Sequence, residues 1–407
     1  MKKIGIYNPY LDTKGGGEKV CAALAEYFAK DKSNQVFLVS HIDLDINELA
    51  EYFALDLSRV HYLQIKDTSI WLKIARRLPV PARARNFWFD HSHLRKLRRE
   101  KFDLFINNSV FSNMSSPSPN GVYLCMFPQK LALAKDISLA KKIYMTFMNA
   151  LYRYTMHPGA KYGVSTYRKI VANSEFTKRH IKQRWGLDST VLYPLCEDMY
   201  VSSLSKEKII LNVGRFFEYE KSGAGHHKRQ DILLTEFAKL TDLHKDGWQL
   251  HFAGSVAEDK GTLKYIIKLT QSAKGLPVYF HFNCAYKELK ELFNKAIIYW
   301  HATGFGSDPD KHPERQEHFG MSTVEAMSTG AIPVVINTAG QKESVKHGFS
   351  GFLWNDTKQL ANYTLKVTQA EPKELKKLQT AAKNRAVNFN QAAFNKKVQA
   401  IFGEMLR

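Results

Sequence analysis

Glu317-His318-Phe319-Gly320-Met321-Ser322-Thr323-Val324-Glu325-Ala326-Met327-Ser328-Thr329-Gly330 runs directly into the strand-like stretch Ala331–Ile336. The pattern predicts a short helix beginning between the two glutamates, ending at Gly330 and feeding a buried strand. Glu317 and Glu325 stand eight positions apart, with a glycine and two hydroxyls between them. Carboxylates accept from hydroxyl groups, and free N–H groups at a helix start donate to phosphate oxygens. One small volume therefore suits a ligand that carries both. A plainer reading is also open: Ser322 and Glu325 fit a helix capping box, and Gly330 a helix stop. That reading leaves Glu317-His318-Phe319-Gly320 without a role.

Around this stretch the chain alternates strand and helix. Strand-like runs precede it at Lys3–Tyr7, Gln35–Ser40, Phe102–Asn107, Val122–Phe127, Lys169–Asn173 and Thr190–Tyr193. After Tyr193–Ser205, which has the character of a linker, the pattern restarts. Strands are predicted at Lys208–Val213, Gln249–Ala253, Val278–Phe282, Ile297–His301 and Ile332–Ile336, and helices at Asp231–Leu240 and Thr262–Ala273. Such alternation implies α/β architecture with two doubly wound parallel sheets, and ligands at the C-terminal ends of the strands. A length of 407 residues agrees with two domains.

With 44% hydrophobic and 24% charged residues the chain is globular, and no apolar run approaches a membrane span. The basic N-terminus is followed by an apolar stretch too short for a signal peptide. Cys21, Cys125, Cys196 and Cys284 are scattered, which argues against a disulfide framework or zinc site and suits a reducing cytoplasm. The formal charge of +20 is uneven. Residues 1–190 hold 30 Lys+Arg against 16 Asp+Glu, a net +14, and the remainder 29 against 23, a net +6. An anionic partner follows: membrane lipid, nucleic acid or a phosphorylated substrate.

Two further segments offer groups for phosphate. Gly15-Gly16-Gly17, with Glu18 next, follows the first strand, where glycines allow close approach of backbone to a ligand and tolerate positive φ. It is not the G-x-G-x-x-G of dinucleotide binders. Gly214-Arg215 ends the first strand of the second half, and Lys228 opens the next helix. A guanidinium and an ammonium suit a diphosphate leaving group. Lys221, inside the long loop Phe216–His227, rivals Lys228. Gly340-Gln341-Lys342-Glu343 either lines a nucleotide pocket or is an ordinary turn. His301 reads as a core or hinge histidine.

Taken together, Glu317…Glu325, Gly15-Gly16-Gly17-Glu18, Gly214-Arg215…Lys228 and Ala172-Asn173-Ser174-Glu175-Phe176-Thr177 resemble glycosyltransferase family 4, with the carboxylates as its E-x7-E motif. The resemblance covers nearly the whole chain in the expected order. It implies the GT-B fold, two Rossmann-like domains facing a central cleft: residues 1–195 on the acceptor side, 206–387 for the nucleotide-sugar, and a C-terminal helix of about 388–407 packing back on the first. It implies a retaining hexosyltransferase using a UDP- or GDP-sugar, with retention by front-side attack. Glu317, Arg215 and Lys228 would be catalytic. Gly16, Gly17, Phe319, Gly320, Met321, Ser322 and Glu325 would bind the donor, Glu325 at the ribose and Glu317 at the transferred sugar. Phe176 reads as structural. One departure is Met126, in Leu124-Cys125-Met126-Phe127-Pro128, where related enzymes often place a histidine.

No metal or other cofactor is expected. Asp308-Pro309-Asp310 mimics a D-x-D metal motif but lies in a Pro-rich loop, and His226-His227 would point apart. Lys66–Lys101 holds 11 cations against three acids, with Trp71, Phe87, Trp88 and Phe89. Lys130–Arg184 holds 12 against two, with Tyr144, Phe147, Leu151, Tyr152 and Tyr154. Cations beside aromatics suit docking on anionic lipid, and they also suit phosphate binding in nucleic acid or a solvated face over core rings. Because the resembling family often extends lipid-linked glycans, the expectation is a cytoplasmic enzyme, peripheral on the inner face of the membrane, with a lipid-linked or envelope-polysaccharide acceptor. A soluble sugar or sugar-phosphate acceptor is the alternative. A basic nucleic-acid-binding protein is a remote one without a recognition motif, so no nucleic-acid partner is expected.

Overall fold

The computed structural model describes the chain except residues 14, 67–80, 111–112, 131–137, 218–226 and 407, and gives backbone alone for 82 and 83. Trp71, Lys221 and His226 thus lie outside the described residues. The chain divides into two units, Met1–Pro194 with Phe394–Arg407, and Leu195–Ala393. Residues 195–205 are anchored within the second: Met199 N–H donates to Ser328 Oγ (3.0 Å) and Val201 N–H to Asn294 Oδ1 (2.8 Å).

Unit 1 is built on a seven-stranded sheet in the order β3-β2-β1-β4-β5-β6-β7. Its strands are β1 (Lys2–Tyr7), β2 (Asn34–Ser40), β3 (Val60–Gln64), β4 (Leu104–Asn107), β5 (Gly121–Cys125), β6 (Lys169–Ala172) and β7 (Thr190–Val191). All pairings are parallel. Ile4 and Ile6 of β1 are wholly buried, as befits a central parallel strand covered on both faces. Strand β3, on the edge, is absent from the sequence-based prediction, and β5 ends two residues early.

The last helix, Gln391–Phe402, buries Phe394, Val398, Ile401 and Phe402, spaced i, i+4, i+7 and i+8 on one face. Phe402 meets the Phe28 ring edge-on at 5.5 Å, Tyr27 O–H donates to Gln399 Oε1 (2.5 Å), and Lys169 Nζ donates to the Ile401 carbonyl (2.7 Å). Phe402→Ala is expected to cost unit 1 about 3 kcal/mol through transfer and cavity terms. Urea unfolding followed by far-UV circular dichroism measures this, and a change under about 1 kcal/mol would contradict the packing.

Unit 2 has a six-stranded sheet in the order β10-β9-β8-β11-β12-β13. Its strands are β8 (Glu207–Val213), β9 (Gln249–Gly254), β10 (Val278–Phe282), β11 (Ala296–His301), β12 (Ile332–Ile336) and β13 (Phe352–Trp354). The pairings are again parallel. Phe237, Phe252, Trp300 and Trp354 fill its core. The three-residue β13 is the strand the sequence did not announce. The order places β8 beside β11, and the winding reverses between them. That switch point, outside the strands' carboxyl ends, is where doubly wound sheets hold ligands.

Candidate active site

At the unit 2 switch point β8 gives way to Gly214-Arg215, and the stem of Lys228 lies across Gly214. A Cβ on Gly214 would stand 2.7 Å from Lys228 Cγ, so glycine is what admits the lysine. Lys228 Nζ donates to Glu317 Oε2 at 2.5 Å, and each side chain is only 16% exposed. Behind Glu317 lies His301, the last residue of β11 and fully buried. Its Nε2 is 3.2 Å from Glu317 Oε2 and 3.1 Å from Thr303 Oγ1. Burial lowers the His301 pKa. The hydrogen bond and charge of Glu317 oppose that, and the Lys228 charge adds to it. A neutral imidazole facing a carboxylate carries its proton on Nε2 and donates it there. Glu317 is thus held by two donors from separate elements.

The segment after Glu317 is shaped by backbone. Gly320 adopts φ +91°, the left-handed region open to glycine, and is the N-cap of helix Met321–Ser328 without a side-chain cap. The capping-box alternative is therefore not realised: Ser322 Oγ accepts instead from Tyr299 O–H (2.7 Å). Burial raises the Tyr299 phenol, which keeps its proton and donates. Gly330 (φ +82°) follows the end of the helix, as predicted. Gly340 N–H donates to the Glu317 carbonyl at 3.0 Å. Phe319 is buried with its ring 5.2 Å from that of Phe389, so its side chain is structural. Met321 and Glu325 are half-buried. Burial is the main cause of the raised Tyr299 pKa, and the charges of Glu317 and Glu325 add to it.

Arg215 is exposed, with its guanidinium 5.8 Å from the Phe217 ring centre. Arg229, beside Lys228, is committed elsewhere, in a two-pronged pairing with Asp231 (3.1 and 3.2 Å) and a 2.7 Å bond to the Phe305 carbonyl. The structure thus brings Lys228, Glu317, Phe319, Gly320, Met321, Ser322 and Glu325 into one constellation, with Arg215 next to Gly214 at its margin. It adds His301, Tyr299 and Thr303, which sequence reasoning did not assign to the site. Their position at the C-terminal end of β11 was the available signal. Gln341 is fully buried, with Nε2 2.6 Å from where a Gly320 Cβ would be, so it supports the turn from beneath.

Gly16 and Gly17 belong to unit 1. They open helix Gly16–Ala29, with Gly15 as N-cap. Neither has positive φ, so the tolerance of that region foreseen for the triplet is not used at these two positions. Gly17 is closely packed: a Cβ there would be 3.3 Å from Asn108 Nδ2 and 3.8 Å from Met126. Glu18 accepts from Gly15 N–H (2.9 Å) and Asn8 Nδ2 (3.0 Å), so it caps its own helix. Met126 lies beside Asn173, whose Nδ2 is 3.9 Å from its sulfur. Ser174 caps helix Glu175–Trp185, and Phe176 is buried against His180 (4.6 Å). Asp308 accepts from the backbone of Asp310 and Lys311, which holds its carboxyl below the usual range. Among the described residues no three His, Cys, Asp or Glu side chains converge as metal ligands.

Two units, each built on a parallel sheet, with cations, carboxylates and a glycine-capped helix start gathered at the switch point of the second, define a class before any relative is considered. Solved structures align with it over its whole length. A glycosyltransferase from Rickettsia africae has a TM-score of 0.65 at 16% identity, covering 100% of this chain and 99% of that one. Alr3699/HepE of Anabaena in complex with UDP has 0.64 at 16%, covering 99% and 100%. The fold is GT-B. Residues 200–385 match the family model for glycosyl transferases group 1. Among curated relatives, the GDP-Man:Man(3)GlcNAc(2)-PP-Dol alpha-1,2-mannosyltransferase of Dictyostelium discoideum is 24% identical over 296 residues, 67% of this chain and 55% of that protein. Alpha-1,3/1,6-mannosyltransferase ALG2 of Saccharomyces cerevisiae is 25% identical over 256 residues, 56% and 48%. The chain spans about half the length of these curated relatives. Together the matches support a glycosyltransferase.

Proposed function

We propose that the chain is a retaining, metal-independent family 4 glycosyltransferase that moves a hexose from a GDP- or UDP-sugar to a hydroxyl of a membrane-associated, lipid-linked or envelope-polysaccharide acceptor. The observation that carries this reading is Glu317, a carboxylate fixed by Lys228 and His301 beside the Gly320-capped helix start. In the reaction the acceptor oxygen bonds to the sugar C1, the C1–O bond to phosphate breaks, and the acceptor proton passes to the departing phosphate. Lys228 and Arg215 answer the charge growing on the diphosphate. Backbone N–H groups of Met321 and Ser322 take phosphate oxygens, Glu325 the ribose hydroxyls and Glu317 the sugar. Mannosyltransferase relatives favour GDP-mannose as the first donor to try.

A panel of UDP, GDP and their hexose conjugates in thermal shift tests the donor half. A ligand at 100 times its Kd adds about 2.7 kcal/mol. Glu325→Ala and Arg215→Ala should fold and lose most of that shift. Full donor affinity in either removes that residue from the site.

The acceptor half is supported by helix Leu139–Thr155 of unit 1. Leu139, Ile143 and Phe147, at i, i+4 and i+8, are 74%, 63% and 62% exposed, beside Lys141, Lys142 and Arg153 and with no acidic residue in the helix. Phe87, Met148 and Tyr152, by contrast, are core residues. Among the described residues no helix is long and apolar enough to cross a membrane. Such a face suits docking on the inner, anionic leaflet. Sedimentation with anionic liposomes at low and high salt separates this from a soluble acceptor, for which the protein stays in the supernatant.

A further inference from the structure

At the far end of the Met321–Ser328 helix from Gly320, unit 2 holds a second concavity of about 180 Å3. Lys206, Lys376 and Lys383 line it with Asn294, Thr329 and Thr380, and no carboxylate does. Lys376, Thr380 and Lys383 fall at i, i+4 and i+7 on helix Pro372–Ala386, one face of it. Lys206, just before β8, donates to the carbonyls of Ala296 (2.7 Å) and Phe293 (3.4 Å) and to Thr329 Oγ1 (3.3 Å). Three acceptors match the three N–H groups of one ammonium, and the carbonyls close the C-terminal end of helix Tyr286–Lys295. Lys206 is thereby accounted for as a helix-end cation.

Lys376 and Lys383 are charge in excess of that need. Lys383 Nζ sits 3.5 Å from the centre of the Tyr200 ring, and its stem crosses Gly330, where a Cβ would come within 2.9 Å of Lys383 Cε. The lysines act on one another. Burial and then the Lys383 charge pull Lys206 down to about 7. Burial and then Lys376 pull Lys383 down, opposed by Asp198. Lys376 and Lys383 bring charge beside the already satisfied Lys206, with no carboxylate in the concavity's wall, and an anion entering it relieves their repulsion.

We propose that this concavity binds a phosphate-class dianion, either inorganic phosphate or the phosphate of a phosphomonoester, independently of the nucleotide site around Glu317. Lys376 and Lys383 present donors to its oxygens, while the Thr380 hydroxyl donates to the Lys376 carbonyl (2.9 Å) and ties that turn of the helix. Titration calorimetry of the full chain with inorganic phosphate, and separately with glucose 6-phosphate, tests it. Lys228→Met serves as a second background, because the Glu317 site also offers cations. One anion should bind per chain in both backgrounds. Lys376→Gln/Lys383→Gln should weaken it at least about tenfold, a loss of 1.4 kcal/mol, with the unliganded melting temperature preserved. Tighter binding of glucose 6-phosphate assigns a phosphomonoester as the source, and tighter inorganic phosphate assigns the free ion. Binding that survives the double substitution, vanishes with Lys228→Met alone, or is absent from the unaltered chain at millimolar phosphate overturns the proposal.

Discussion

Lys228→Met is expected to lower hexose transfer by two to three orders of magnitude. In the proposed reaction its ammonium is one of two cations that answer the leaving diphosphate, and loss of one such preorganised donor costs about 2.7–4 kcal/mol of transition-state stabilisation. Methionine keeps most of the stem that lies over Gly214, so the change isolates charge from packing. Folding stability should fall less, by about 1–3 kcal/mol. A fully buried pair that loses one partner costs about 3–5 kcal/mol, whereas Glu317 retains 16% exposure and its bond from His301.

The same substitution has a pH signature. Lys228 helps to hold the His301 pKa down and Glu317 works to raise it, so removing the lysine moves the histidine up. In the unaltered chain the folded His301 pKa lies below the unfolded value of about 6.5. As pH falls through that value the unfolded chain takes up a proton before the folded chain does, and this group withdraws stability on acidification. In Lys228→Met the withdrawal should shrink. Histidine ring NMR titration and melting temperature against pH measure both effects. An unmoved His301 would mean that the Lys228–Glu317–His301 geometry is wrong.

How much of this was legible in the sequence follows from which interactions are local. Strand β12 was readable to the residue, because Ile332–Ile336 is an unbroken apolar run buried on both faces. Strands β3 and β13 were not: Val60–Gln64 carries polar residues on an exposed edge, and Phe352–Trp354 is too short to show a period. Lys228 and Glu317 were each singled out, yet 89 positions separate them. Only the β8–β11 pairing makes them partners. Ser322 shows the limit most directly. By local pattern it is a capping hydroxyl, and what decides otherwise is Tyr299, whose orientation is set by the register of β11. His301 read as a core residue and is one, fully buried, while its Nε2 reaches the site. Burial and function are not alternatives at a strand end. In the glycine triplet, Gly17 packs close to Asn108, which no count of glycines reveals.

Gly340→Ala should be among the most damaging single-methyl changes in unit 2. Gly340 has ordinary helical φ and ψ (−65°, −21°), so backbone freedom is not what selects glycine there. Space is: a Cβ would lie 2.3 Å from the His318 oxygen and 2.3 Å from Phe319 Cα. Both are backbone atoms, which no rotamer change can move aside. The Gly340 N–H also donates to the Glu317 carbonyl at 3.0 Å, so the two segments cannot separate without losing that bond. Ordinary overpacking costs about 1–3 kcal/mol, and a contact against main chain on both sides should reach about 4 kcal/mol or more. Whatever fraction of the protein stays folded relieves the clash by shifting 317–320, which moves the Glu317 carboxylate away from Lys228 and the Gly320 cap away from the helix. Donor affinity should therefore fall along with melting temperature. Gly348→Ala is the comparison, because a Cβ there meets nothing within 4 Å and its φ of +71° costs only local strain of about 1–2 kcal/mol. It should lower the melting temperature modestly and leave donor binding intact. Equal losses of donor affinity in the two variants would show that 317–320 is not positioned through Gly340.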